Sequence, residues 1–298
     1  MNSRLLQRAA AQIASSFLLR RGQHLWQKNQ ADWNLPLSKW EKLWTGLYLV
    51  LRDYSQGMFP PTFPDQQQAY LNEINSRFSS PGLSPGQVTL AELRKPFWFG
   101  HSLHSYVGGF LKLASALEKV GVRPPARLLE LGGGSGWMAE FLAQLGFAVV
   151  CTTISPYDVE AGHKRIESLG AKGISCDLRI LPAPMESVAE HVKELCPFDA
   201  VFVFEALHHA FDWKSAIGSA YQCLSDGGWL FLCNEPNVLH TAISYRVAKL
   251  SNTHEIGFSR RQLLRHLSET GYRNVTSIGK RPHLFLRAHW LTAQKPPR

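Results

Sequence analysis

The chain lacks any apolar run approaching the roughly 18 residues that a membrane-spanning helix requires, which argues against a bilayer-crossing protein. Its five cysteines (Cys151, Cys176, Cys196, Cys223 and Cys233) are an odd number without a C-x-x-C pair, and most fall in apolar runs. They read as reduced core residues, in keeping with a cytoplasmic location. Zinc-finger spacing and aromatic RNA-binding signatures are missing, which argues against nucleic acid as a partner. Acids are absent from the first 31 residues, although Arg4, Arg8, Arg20, Arg21 and Lys28 lie there.

What is present is an ordinary globular composition, 45% hydrophobic and 18% charged over 298 residues. That length holds a core domain with a smaller companion. Lysine and arginine outnumber aspartate and glutamate by 32 to 23, giving a formal charge of +9. The surplus favours anionic substrates or surfaces without choosing among phosphorylated metabolites, acidic glycans, lipid faces and nucleic acid.

Leu5, Ala9, Ile13 and Phe17 recur every four residues, with Arg4 and Arg8 on the far side, so an amphipathic basic helix is predicted. Three readings compete: packing on the protein's own core, which is favoured; a peripheral membrane contact through residues 1–21; and an organelle presequence. Further on, Trp40, Trp44 and Tyr48 share a predicted helix face, a stripe that reads as core. Residues 57–64 and 79–87 read as turn-rich breaks around one short helix. Residues 1–92 therefore form an expected helical, tryptophan-rich extension to a core at 93–298.

The core is organised around residues 126–155. Arg127–Leu131 reads as a strand, followed by Gly132, Gly133, Gly134 and Gly136. Met138, Phe141, Leu142 and Leu145 then mark one helix face, and Phe147–Cys151 a second strand. Strand, helix and strand within about thirty residues predict a parallel βαβ unit. Glycines there let the backbone approach a ligand. Two patterns fit: the dinucleotide fingerprint through Gly134, Gly136 and Ala139, and acid-x-Gly-x-Gly-x-Gly through Glu130, Gly132, Gly134 and Gly136.

At the second pattern the chain resembles the class I S-adenosylmethionine-dependent methyltransferases. The run FDAVFVFEALHHAFDWKSAIGSAYQCLSDGGWLFLCNEPN resembles that family's fourth strand, helix, Gly-Gly turn and fifth strand, which nicotinamide-dependent oxidoreductases do not share. After a capping box at Ser259–Gln262, the segments 272–278 and 283–292 resemble its closing antiparallel hairpin. The resemblance implies an α/β, Rossmann-like, seven-stranded, mostly parallel sheet with helices on both faces. It also implies S-adenosyl-L-methionine as cofactor, Glu130 and the four glycines around its methionine part, and no metal.

The family's ribose-binding acid falls at Thr153, so Ser155 or another group is expected to help hold the ribose; a catalytically silent binding module is the rival reading. The resemblance places adenine near Ile154 and Met185, with Glu186 or Asp177 accepting from its amine. Phe204 to His209 matches the wall between cofactor and acceptor. His209 is the first candidate general base and His208 the second, because neutral imidazole accepts protons near pH 7. Glu205 and Glu235 are expected at the same rim. The segment before the first strand resembles the family's lid helix, which assigns Trp98, His101, His104 and Tyr106 to a lid or substrate role. The H-x-x-H of His101 and His104 lacks a nearby third ligand, against a metal site. The expected acceptor is a small molecule, sugar or lipid-linked metabolite methylated on oxygen. The sequence leaves oligomeric state open.

Overall fold

In the computed structural model, residues 3–33, 35–79, 84–97, 100–279 and 287–297 are described. The chain opens with helices α1 (Ser3–Ala14), α2 (Phe17–Ala31), α3 (Lys39–Ser55) and α4 (Gln66–Ser79), then α5 (Pro85–Arg94) and α6 (His101–Lys119). There follow β1 (Arg127–Leu131), α7 (Trp137–Gln144), β2 (Ala148–Thr153), α8 (Pro156–Ala171), β3 (Leu178–Pro182), the one-turn α9 (Val188–His191) and β4 (Phe198–Phe204). The chain then forms α10 (Trp213–Cys223), β5 (Leu224–Glu235), α11 (Thr241–Ser251), α12 (Arg260–Thr270), β6 (Arg273–Ser277) and β7 (His289–Gln294). No helix among the described residues is long and apolar enough to cross a membrane.

Two compact units result. One comprises Ser84–Glu235, Ser259–Leu284 and Ala288–Arg298, and the other Met1–Leu83, Pro236–Phe258 and Phe285–Arg287. The partition departs from the expected 92/93 boundary at α5 and α11. Helix α5 joins the sheet unit because Arg165 of α8 donates to the carbonyls of Glu92 (2.6 Å) and Lys95 (2.9 Å). Its sequence had read as a break, yet Ser84 and Gln87 form a reciprocal capping box with Pro85 in the first turn.

In the sheet unit the strand order is β3-β2-β1-β4-β5-β7-β6. The first five strands run parallel, whereas β7 is antiparallel to both β5 and β6. Parallel strands covered on both faces carry near-continuous apolar runs, as Phe198–Phe204 does. The expected Gly-Gly turn is instead part of the longer β5: Gly227 donates to the Lys295 carbonyl (3.0 Å), and Lys295 donates to Gly228 (2.9 Å). Helix α12 starts at Ser259, but that side chain makes no capping hydrogen bond, so the expected capping box is not formed. The closing hairpin is present as β6 and β7; residues 283–286 of its expected second strand lie outside the described residues.

In the helical unit α3 packs against α1, α2 and α11. Leu19, Trp26, Tyr48, Leu49 and Tyr245 are buried together. A Cβ on Gly46 would lie 1.6 Å from the Ala242 carbonyl oxygen, so α3 and α11 approach at a position only glycine fits. Asp53, fully buried, accepts from the Tyr245 hydroxyl (2.9 Å) and pairs with Arg52 (2.6 Å) and Lys249 (3.0 Å). Trp40 is 71% exposed, so the aromatic stripe enters the core only beyond it.

The first helix corrects the favoured core-packing reading. It stops at Ala14, where the Ser15 and Ser16 hydroxyls bond back to the carbonyls of Gln12 and Ile13. The face it buries is Ala10 and Ala14, whereas Leu5, Ile13 and Phe17 stay exposed. Small side chains let the helix lie close, which turns the larger apolar ones outward.

Candidate active site

The loop between β1 and α7 is shaped from below. Burial pushes the Glu130 carboxyl up to about 7, against the lowering effect of hydrogen bonds from the Cys151 thiol and the Ala139 amide. Its Oε2 accepts no hydrogen bond among the described residues. A Cβ on Gly133 would lie 2.4 Å from the Glu130 carboxyl carbon and 2.5 Å from Cys151 Sγ, so the loop rests directly on both. Gly132, Gly134 and Gly136 have φ of 65°, 57° and 71°, left-handed values that side chains other than glycine's rarely adopt. The Gly133 amide donates to the Thr152 carbonyl (3.0 Å), and the Thr152 hydroxyl donates to the Glu130 carbonyl (3.0 Å). The loop is thereby tied to the first two strand ends.

At the end of β2 the hydroxyl of Thr153 faces a carboxylate. Thr153 Oγ1 donates to Asp158 Oδ2 (3.3 Å) and accepts from the Ser155 amide (3.3 Å), while Ser155 Oγ accepts from the Asp158 amide (3.3 Å). Ser155 caps α8, with Pro156 at its first position, and this turn brings Asp158 back over the strand end. Sequence reasoning assigned Asp158 no part in the site. Its signal was the Ser-Pro-x-Asp spacing, which fixes the direction of the first turn.

Beyond β3, Met185 lies against the glycine loop, its Sδ within 3.4 Å of where a Gly132 Cβ would stand. Glu186 Oε1 accepts from the Asp212 amide (3.1 Å) and so secures the start of α10. Asp177 sits before β3, at the amino end of the sheet, where its carbonyl accepts from Val149; the expectation that it could reach a ligand at the carboxyl ends is corrected.

The rim formed by β4 and β5 is built around Glu235. This fully buried carboxylate accepts from the amides of Ala206 (2.9 Å), Leu207 (3.0 Å) and His208 (3.2 Å), and its Oε2 lies 3.0 Å from His208 Nδ1. A carboxylate oxygen accepts, so His208 Nδ1 is the donor in that contact. The His209 ring stacks on that of His208 at 4.1 Å. Glu205 and Asn234, which end or border adjacent strands, have φ of 51° and 59°, a strained conformation for residues other than glycine. Asn234 bridges them, donating to Glu205 Oε1 (2.8 Å) and accepting from Trp290 Nε1 (3.2 Å).

Glu205 is open to solvent yet crowded by protein, as on a cleft wall, and burial followed by the Glu235 charge raises its carboxyl. Tyr106 of α6 is raised by burial and then by Glu205, which places the two near one another. Phe204 packs on Trp137 and Trp290 at ring distances of 6.1 and 6.0 Å. Ile154 is half-buried, and His104 is exposed on α6. Trp98 and the His101 side chain lie outside the described residues. Among the described residues no group of His, Cys, Asp or Glu forms a metal-binding cluster.

Comparison with known proteins adds an independent line. The family model described as "Methyltransferase domain" matches residues 102–277, more than half of the chain. A ubiquinone biosynthesis O-methyltransferase from Xanthomonas axonopodis pv. citri is 33% identical over 121 residues, 40% of this chain and 46% of that protein. A tRNA 5-carboxymethoxyuridine methyltransferase from Escherichia coli K12 is 27% identical over 106 residues, 36% of this chain and 39% of that one. The chain spans less than half the length of the curated relatives it matches. Among solved structures, magnesium protoporphyrin IX methyltransferase from Synechocystis PCC 6803 with bound SAH shares the fold. Its TM-score is 0.54 at 15% identity, covering 76% of this chain and 99% of that one.

Proposed function

The chain belongs to the class I S-adenosylmethionine-dependent methyltransferases, and from that premise we propose that it methylates an oxygen of a small-molecule, sugar or lipid-linked acceptor, with His208 as general base. The observation that carries the base assignment is the 3.0 Å contact between His208 Nδ1 and Glu235 Oε2. A carboxylate behind the imidazole fixes its tautomer and stabilises the imidazolium formed when a proton arrives. His208 thereby takes precedence over His209, whose role is to pack beside it.

The residues of the first two strand ends suit the cofactor. Bound S-adenosylmethionine offers a methyl group already activated by a positively charged sulfur, so the protein's work is binding, alignment and proton removal. Gly132, Gly133, Gly134 and Gly136 form the loop against its methionine part, and Glu130 Oε2 provides an acceptor there. Asp158, held through Thr153, takes the place of the strand-end acid in binding ribose hydroxyls, because a carboxylate accepts stronger hydrogen bonds than a hydroxyl. Ile154 and Met185 flank adenine, with Glu186 nearby. This arrangement weighs against the silent-module reading that Thr153 had suggested, and family membership sets the dinucleotide reading aside.

The ubiquinone O-methyltransferases among the relatives support an oxygen acceptor. The tRNA-modifying relative keeps nucleic acid among the acceptors to be assayed. Transfer of a labelled methyl group from S-adenosylmethionine to a panel of phenols, sugars, lipid extracts and tRNA tests the proposal. Labelling of a hydroxyl acceptor that His208→Ala abolishes supports it; labelling at nitrogen or carbon, or an undiminished His208→Ala variant, refutes the assignment.

A further inference from the structure

Helices α1 and α2 carry a surface that the reaction does not employ. Leu5, Leu6 and Ile13 are 62%, 37% and 50% exposed, and Phe17 at the start of α2 is 80% exposed. At 3.6 residues per turn, Leu5, Leu6, Ala9 and Ile13 fall within one arc of about 100° on α1. The buried Ala10 and Ala14 occupy another face. Arg8, exposed, flanks the apolar arc, and Arg4, also exposed, lies behind it on the far side. On α2 the outward residues include Phe17, Arg20, Arg21 and Lys28, with the Arg20 guanidinium 5.8 Å from the centre of the Phe17 ring.

Charge decides what covers such a surface. Residues 1–31 contain four arginines and one lysine and no acid, and Glu41 of α3 meets Arg21 at 3.2 Å. Large apolar side chains bordered by cations match the two layers of a lipid interface, acyl chains below and phosphates at the level of the arginines. A protein partner would have to offer both an apolar strip and acids on either side of it; an anionic bilayer has that profile everywhere along its surface.

We propose that α1 and the first turn of α2 bind the surface of a membrane containing anionic phospholipid. Helix α1 lies in its plane, with Leu5, Leu6, Ile13 and Phe17 among the acyl chains and Arg8 and Arg20 at the headgroups. The inference stands on these two helices alone and does not depend on the proposed reaction.

The test is co-sedimentation of the full chain with phosphatidylcholine vesicles, with and without phosphatidylglycerol, at rising salt. Binding is expected to the anionic vesicles and to weaken with salt. Replacing Leu5, Ile13 and Phe17 together by Gln should lower it by about tenfold or more. Replacing Arg8 and Arg20 by Gln should cost about fivefold per charge and flatten the salt dependence. Circular dichroism and thermal unfolding check the fold, and Phe17→Gln alone carries the test if the triple variant misfolds. Failure of the wild type to bind anionic vesicles overturns the proposal. So does wild-type affinity in the apolar variants, or self-association through the same residues without lipid binding.

Discussion

Asp53 in the helical unit and Glu235 in the sheet unit are both fully buried carboxylates, and their partners differ in kind. Asp53 is surrounded by side chains, the hydroxyl of Tyr245 and the cations of Arg52 and Lys249, from two helices that it fastens together. Glu235 accepts from three consecutive backbone amides and an imidazole. The first arrangement spends its charge on holding helices in register. The second shapes a loop and orients the His208 ring, the proposed base.

Substitutions should separate the two roles. The largest effect is expected from His208→Ala, which removes the base and lowers turnover by about three orders of magnitude, with S-adenosylhomocysteine affinity unchanged by calorimetry. Glu235→Gln should cost about a hundredfold in turnover, because His208 loses the carboxylate that orients its ring. A turnover loss in Asp53→Ala as large as that in His208→Ala would erase the distinction. Instead, Asp53→Ala should lower the unfolding free energy by about 2 kcal/mol in denaturant titration and leave cofactor affinity alone. That is below the 3 to 5 kcal/mol, roughly, typical of broken buried pairs, because Arg52 and Lys249 remain partly exposed.

Glu130 sharpens the comparison with a pH effect. Its carboxyl is raised from 4.5 to about 7 in the folded protein, so between those values the native state holds a proton that the unfolded state has lost. Its contribution therefore favours folding below about pH 4.5 and is lost as pH rises to about 7, by about 3 kcal/mol in all. Glu130→Gln should flatten that part of the stability profile measured by thermal unfolding against pH. An unchanged slope would mean that the acid is not the titrating group.

Much of the sheet unit was legible because its signals are local. Parallel strands show as apolar runs, and β1 was legible at Arg127–Leu131. Helix α5 was missed because Ser84, Pro85 and Gly86 look like turn residues, although the first two with Gln87 make a helix start. The pairing of 225–228 with Lys295 joins segments about seventy residues apart, and no local pattern announces it. The same holds for α11, which joins the first helices through Gly46 and Tyr245 across nearly two hundred residues. In the site, the glycine loop was evident, but the ranking of His208 and His209 required knowing which ring Glu235 meets. Four-residue periodicity located the apolar arc of α1, yet it could not say that alanines would face inward.

In the proposed assignment the first two strand ends hold S-adenosylmethionine, with Asp158 in place of a carboxylate at position 153. Calorimetric titration with S-adenosylhomocysteine, on wild type, Gly134→Asp and Asp158→Asn, tests it most directly. The account predicts binding by the wild type, none by Gly134→Asp, and affinity about tenfold weaker for Asp158→Asn. No binding by the wild type, or undiminished affinity in Asp158→Asn, would contradict it.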